Sequence, residues 1–131
     1  MAGGGDTTAE AINTLPYWLN FCKPKNWIIN IGRNDLVVGV PTATWQANYT
    51  SIVSQCRAAG GKIIHLPPIP ETFVDQTPIT TYVNATYPSD AKIDVSGSWS
   101  NAVDLDSDGV HPSAAGEVVI ANAIKASGVI L

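Results

Sequence analysis

Positive charge is scarce in this sequence: seven Lys and Arg stand against eleven Asp and Glu, giving a net charge of −4 and a pI near 4.8. No basic cluster occurs along the chain, so no nucleic-acid partner is expected, because binding one needs a surface that neutralises phosphates. Long apolar runs are missing as well. The stretch Trp27 to Ile31 is broken by Asn30, whereas a membrane span needs about 20 mostly apolar positions, so no membrane partner is expected either. Met1-Ala2-Gly3-Gly4-Gly5 has neither a charged region nor an apolar one of the secretory kind, which leaves the compartment open. The two cysteines, Cys22 and Cys56, lack metal-type spacing. Both are expected as reduced thiols on buried helix faces. Histidine is equally rare, with only His65 and His111 available for acid–base work at neutral pH.

What is present is apolar. Hydrophobic residues make up 45% of 131 and charged residues 14%, a composition that fits one compact domain over residues 1–131 with no repeat or linker inside it. Thr7 and Glu10 stand at capping-box spacing ahead of Ile12, Leu15, Leu19 and Cys22, which recur at helical intervals. That pattern predicts a helix from Thr8 to Phe21, kinked or restarted at Pro16. Asn26 to Ile31 reads as a buried strand that ends at Gly32. Thr42 to Ala59 reads as a helix with Trp45, Tyr49, Ile52, Val53 and Cys56 on one face, stopped by Gly60-Gly61. Lys62 to Leu66 reads as a strand closed by Pro67-Pro68-Ile69-Pro70. Glu71 to Asp90 is expected to be the least regular stretch, with a short helix around Ile79, Tyr82 and Val83. Ala91 to Val95 is a third strand candidate. Pro112 to Ala126 closes the chain as a helix with Val119, Ile120, Ala123 and Ile124 inward and Gly128 as its stop. Strands alternating with helices give an α/β class with a parallel sheet, whose functional loops gather at the strands' C-terminal ends.

Polar residues concentrate in loops at such junctions: Gly5-Asp6-Thr7-Thr8 before the first helix, Gly32-Arg33-Asn34-Asp35 after the first strand, and Asp108-Gly109-Val110-His111-Pro112 before the last helix. Taken alone, Asn34-Asp35 and Asp108-Gly109 are ordinary turn signals, and His111-Pro112 is an ordinary helix start. As an ordered set they resemble the SGNH or GDSL hydrolase family, whose blocks are a Gly-Asp-Ser nucleophile motif, a glycine ahead of a helix, Gly-x-Asn-Asp, and Asp-x-x-His. The resemblance runs from Gly3 to about Lys125. It implies a three-layer α/β/α, flavodoxin-like fold and a serine esterase or acylhydrolase acting on a small acyl or acetyl ester, such as one on a decorated carbohydrate. It also implies that His111 is the base, Asp108 the residue that fixes its tautomer, and Gly5 and Asn34 the oxyanion donors, with no metal and no cofactor. Gly5 is expected to allow close backbone approach, and Gly32 a sharp exit from its strand. A module that keeps the fold without catalysis is the alternative.

Other residues compete for these roles. His65 lies within a strand with no carboxylate nearby in sequence, so it is expected in the core or lining the cleft. Trp18, Trp27 and Trp45 fit packing, and Trp99, among Ser96, Gly97 and Ser98, is a candidate for ligand contact. Asp104, Asp106, Asp108 and Gly109 match positions 1, 3, 5 and 6 of an EF-hand loop. Ala115 stands where that loop needs its bidentate Glu, and Pro112 falls inside it, so calcium is the lesser reading.

The nucleophile block is missing, because no Gly-Asp-Ser occurs anywhere. The family places it upstream of Gly5, and a strand, loop, helix and second strand would need roughly 40 residues there. Ser107 lies beside Asp108 rather than on a strand-to-helix elbow, and Thr7 and Thr8 are expected to cap the first helix. The sheet is therefore expected to lack the first strands of the family fold. Its exposed strand edge would favour self-association or a partner segment that donates those strands.

Overall fold

The computed structural model describes residues 5–22 and 24–128. Helix α1 (Thr8–Phe21) starts at the capping box: the Thr7 hydroxyl accepts from the Glu10 N–H, and the Glu10 carboxylate accepts from the Thr7 N–H at 2.7 Å. Pro16 lies inside α1, which continues unbroken from Thr8 to Phe21 instead of restarting there. The missing proline N–H costs one ladder bond, and the buried Leu15 with Ile12 and Leu19 packed on the core holds the helix on both sides of the gap. Cys22 corrects the expectation of two core thiols. The helix has ended by then, and Cys22 is exposed at the C-cap, whereas Cys56 is buried.

Strand β1 (Asn26–Ile29) leads through Gly32 into a five-residue helix α2 (Arg33–Val37), where the sequence suggested only a loop. Helix α3 (Thr42–Ala58) buries Trp45, Tyr49, Ile52, Val53 and Cys56, the face expected of it, and crosses to strand β2 (Lys62–His65). The segment from Glu71 to Asp90 is more ordered than expected, since it carries the ten-residue helix α4 (Thr77–Thr86) with Ile79 and Val83 buried. Strand β3 is only Ala91–Lys92, although Ile93 and Val95 beyond it are buried. A 3₁₀ turn (Ser96–Ser98) and a short helix α5 (Asn101–Asp104), neither of them expected, precede the last helix α6 (Ala114–Ala126). Pro112 falls outside α6 and pairs with Leu105 in an antiparallel bridge, and Ser113 caps the helix.

The sheet is parallel in the order β1-β2-β3, with Trp27 opposite Ile63 and Ile29 opposite His65. Successive strand residues face opposite sides, and the two cores follow that alternation. Ile63 joins Leu15, Ile29, Trp45, Tyr49, Ile52 and Val83 under α1, α3 and α4. Ile64 joins Leu66, Ile93 and Val95 against Val119, Ile120, Ala123 and Ile124 of α6. The result is an α/β/α sandwich, as the resemblance implied. Trp99, partly buried, packs against the second core and donates its indole N–H to Asn101 at 3.0 Å. Its ring lies against Gly116, where an added Cβ would stand 2.9 Å from Trp99 and 2.1 Å from the Asp104 carbonyl. Glycine there lets α6 dock on α5.

Candidate active site

The loops before α1 and after β1 are stapled together. Asp35, fully buried, accepts the Thr8 N–H at 2.8 Å with one oxygen and the Thr8 hydroxyl at 2.6 Å with the other. Thr8 therefore serves Asp35 rather than capping α1, a role that Thr7 fills. Asn48 of α3 adds a bond from its amide to the Thr8 hydroxyl. Beside this staple the Asn34 amide donates to the Asp6 carbonyl at 3.0 Å, so the Asn34 nitrogen faces the residue next to Gly5. A primary amide carries two N–H groups, and the second is available to another acceptor. Gly5 is exposed with φ +95, and an added Cβ would meet nothing within 4 Å. Its left-handed backbone favours glycine, and the open space beside it leaves its backbone accessible. Gly32, at φ +113, does allow the sharp exit from β1 into α2.

Removing the staple should be costly. Asp35→Ala leaves a buried Thr8 N–H without an acceptor, a loss on the order of 3 kcal/mol. A thermal melt should show a drop of roughly 10 °C, and an unchanged melting temperature would show that the staple is dispensable.

The third loop is closed on itself by Leu105 and Pro112, with the Asp106 N–H donating to the His111 carbonyl at 2.8 Å. Within it Asp108 uses both oxygens: Oδ1 accepts the N–H groups of Val110 and His111, each at 2.9 Å, and Oδ2 lies 2.6 Å from His111 Nδ1. The His111 hydrogen bond, followed by the two backbone N–H groups, holds the Asp108 carboxyl at about 2. It is thus ionised at any working pH. An ionised carboxylate can only accept, so the imidazole proton sits on Nδ1 and Nε2 presents its lone pair. The side chain is 74% exposed, and Nε2 is open to a substrate.

Nothing in the sequence hints that the Asn34 loop and the Asp108–His111 loop are joined. Glu71, with its side chain 1% exposed, takes Arg33 Nε and Nη2 in a forked ion pair at 2.9 to 3.1 Å. Its neighbour Thr72 donates its N–H to the Gly109 carbonyl at 3.3 Å, and the Phe73 ring lies over Gly109. Glu71 and Thr72 thereby link the Asn34 loop to the Asp108–His111 loop. An isolated Glu between prolines and a threonine has no periodicity that would have disclosed this.

His65 is core, as expected, but it does have a carboxylate. It is fully buried, with Nδ1 2.8 Å from the Tyr49 hydroxyl and Nε2 2.9 Å from Asp90, a residue distant in sequence. The calcium loop does not assemble. Asp104 accepts the Ser100 N–H at 2.7 Å, Asp106 accepts from Ser107, and Asp108 is engaged with His111. Among the described residues no group of three or more acidic, His or Cys side chains is placed to hold a metal. A recess of about 480 Å³ opens beyond β2 and β3, lined by Pro67, Glu71, Asp75, Thr80 and Asp94 among others. It shares Glu71 with the site but includes neither Asn34 nor His111.

A model of the GDSL-like lipase/acylhydrolase family matches residues 2–119. The chain belongs to that family. An esterase of Pseudomonas aeruginosa, TesA, is 38% identical over 68 residues, 49% of this chain and 34% of the esterase, so the matched segment spans about a third of that relative. A crystal structure of TesA superposes with a TM-score of 0.75 at 24% identity, covering 94% of this chain and 72% of the other. A carbohydrate esterase of family 3 from Talaromyces cellulolyticus gives 0.77 at 24% identity, covering 95% and 67%. At these identities the structural matches establish the GDSL-type fold alone, and both partners contain chain that has no counterpart here.

Proposed function

We propose that this chain supplies the base, its acidic partner and the oxyanion donors of a serine esterase or acylhydrolase. Its substrate is a small acyl or acetyl ester, and the nucleophilic serine comes from a segment outside this chain. The observation that carries the reading is the Asp108–His111 pair, with Nδ1 committed and Nε2 outward. A serine hydroxyl placed on Nε2 gives up its proton there as its oxygen bonds the ester carbonyl carbon. The charge passes to the carbonyl oxygen, which accepts from the Gly5 N–H and from the second Asn34 amide N–H, each donor being worth about 10²–10³ in kcat. Collapse expels the alcohol, which takes the proton from His111, and a water molecule repeats the sequence to release the acid. No metal or cofactor enters these steps. The names of the relatives, an esterase and a carbohydrate esterase, support ester substrates and sugar-borne acyl groups among them.

A serine-directed phosphonate tests the reading. The isolated chain should stay unlabelled, and the chain supplied with a serine-bearing strand segment of the family should be labelled on that serine. Labelling of any serine in this chain would overturn the outside nucleophile. A supplied chain that is neither labelled nor active would make it a non-catalytic module. The pH profile adds a check. Because the Asp108 carboxyl is lowered to about 2, its hold on His111 is complete above the ordinary carboxylate range near about 4 and is lost as pH falls towards 2. Activity should be neutral to alkaline, because His111 takes the serine proton only while its ring is neutral.

A further inference from the structure

We propose that Arg33 and Glu71 are positioning residues for the oxyanion donors: Arg33 fixes which way the Asn34 amide points, and Glu71 fixes Arg33 while tying it to the His111 loop. The inference rests on the function proposed above. The Arg33 guanidinium uses its whole planar edge. Nε and Nη2 fork onto Glu71, and Nη1 donates to Asn34 Oδ1 at 3.2 Å. An amide whose oxygen receives an N–H must turn its nitrogen the other way, and here that is towards Asp6 and the Gly5 turn. A flipped amide would set its oxygen against the Asp6 carbonyl and aim a lone pair at the developing oxyanion. The two bonds on Asn34 therefore select the only productive orientation. Arg33 in turn cannot swing away, because Glu71 is almost wholly buried and accepts from two of its nitrogens. Ion pairing with Glu71 also occupies the fork that would otherwise capture a carboxylate, the very group that ester hydrolysis releases.

The residue next to that carboxylate anchors the far side. Thr72 follows Glu71 directly and holds the Gly109 carbonyl, one residue from Asp108. Displacing Glu71 therefore shifts the donors and the base relative to each other, while each half keeps its internal bonds. The exposed Phe73 ring, packed on Gly109, covers this joint, and a Cβ at Gly109 would stand 2.9 Å from it.

Arg33→Lys separates positioning from mere support. Lysine keeps a cation on Glu71 but has no planar second edge to reach Asn34, whereas Arg33→Ala would strand a buried carboxylate and is avoided. The measurement is NMR on the ¹⁵N-labelled chain bound to an unlabelled serine-bearing strand segment of the family, which closes the open edge of β1 and reads the amides without any turnover. The Asn34 side-chain amide protons should exchange about ten-fold faster in Arg33→Lys, and the Thr8 and His111 backbone amides should stay as they are. Glu71→Gln should disturb both the Asn34 side chain and the Gly109–His111 amides. In the chain supplied with a serine segment, Arg33→Lys should lower kcat about ten-fold with KM unchanged, less than outright loss of a donor. Unchanged Asn34 exchange in both variants would overturn the proposal, as would faster exchange spread over all amides together with a lower melting temperature. An NMR effect in a supplied chain without any esterase activity would instead remove the proposed function and leave the orientation of Asn34 by Arg33 standing.

Discussion

His111→Ala is expected to cut ester turnover by about 10²–10⁴-fold in the chain supplied with its nucleophile, at an unchanged melting temperature. The side chain is exposed, and its partner Asp108 keeps two backbone N–H groups when the ring is removed. His65→Ala should do the reverse. That ring is stacked 4.9 Å from Tyr87 and 5.9 Å from Tyr49, and bonds the Tyr49 hydroxyl and Asp90. Truncation leaves a cavity and a buried Tyr49 hydroxyl without its partner, whereas Asp90 keeps Arg57, a loss of about 3 kcal/mol, while folded molecules retain their turnover. Burial, opposed by Asp90, lowers the His65 pKa, so the folded state holds the ring neutral. The corresponding stability is present above the free-imidazole value near about 6.5 and is lost as pH falls through the lower folded one. His65→Ala should therefore flatten the acid limb of the wild-type melting profile. Equal losses of turnover per folded molecule in the two variants would remove His111 as base.

The difference between these two histidines shows how far local sequence carries. Asp108 and His111 sit three residues apart, so a turn can close them, and their pairing was legible before any fold was known. His65 and Asp90 are separated by α4, and only the parallel register that sets His65 beside Lys92 brings that carboxylate near. The helices whose apolar residues recur over several turns, α1, α3 and α6, came out within a few residues of expectation. The short elements α2 and α5 are too brief for periodicity to register. Each is fixed instead by a carboxylate whose partner the sequence did not disclose: Asp35, part of a turn signal, bonds Thr8, and Asp104, the first position of the calcium-loop match, bonds Ser100. The residues proposed as oxyanion donors come from the ordered motifs. What aligns them was hidden, because the Arg33–Glu71 pair joins residues 38 positions apart across two loops.

The isolated chain is expected to associate with itself, or to be stabilised by an added strand, along the outer edge of β1. Among the described residues β1 pairs with β2 alone, so its other edge presents unbonded N–H and C=O groups. An apolar groove of about 160 Å³ runs along it, between α1 and the strand, lined by Leu15, Trp18, Trp27, Ile29, Ile31 and Cys56. Ile28 stands 40% exposed on the strand itself. Open, apolar strand edges recruit other strands, and the groove gives an incoming segment side-chain contacts as well as ladder bonds. Sedimentation should show mass rising with concentration, and the thermal transition should be broad. A peptide with the serine-bearing strand of a family member should dissociate the aggregates and sharpen the melt, adding about 2.7 kcal/mol when present at about 100 times its Kd. Charged substitution at Ile28, on the strand but outside the buried core, should weaken both self-association and peptide capture. A monomer with a cooperative melt that the peptide leaves unmoved would mean that α1 and α3 alone close the core over β1, and the serine would then have to reach His111 by another route.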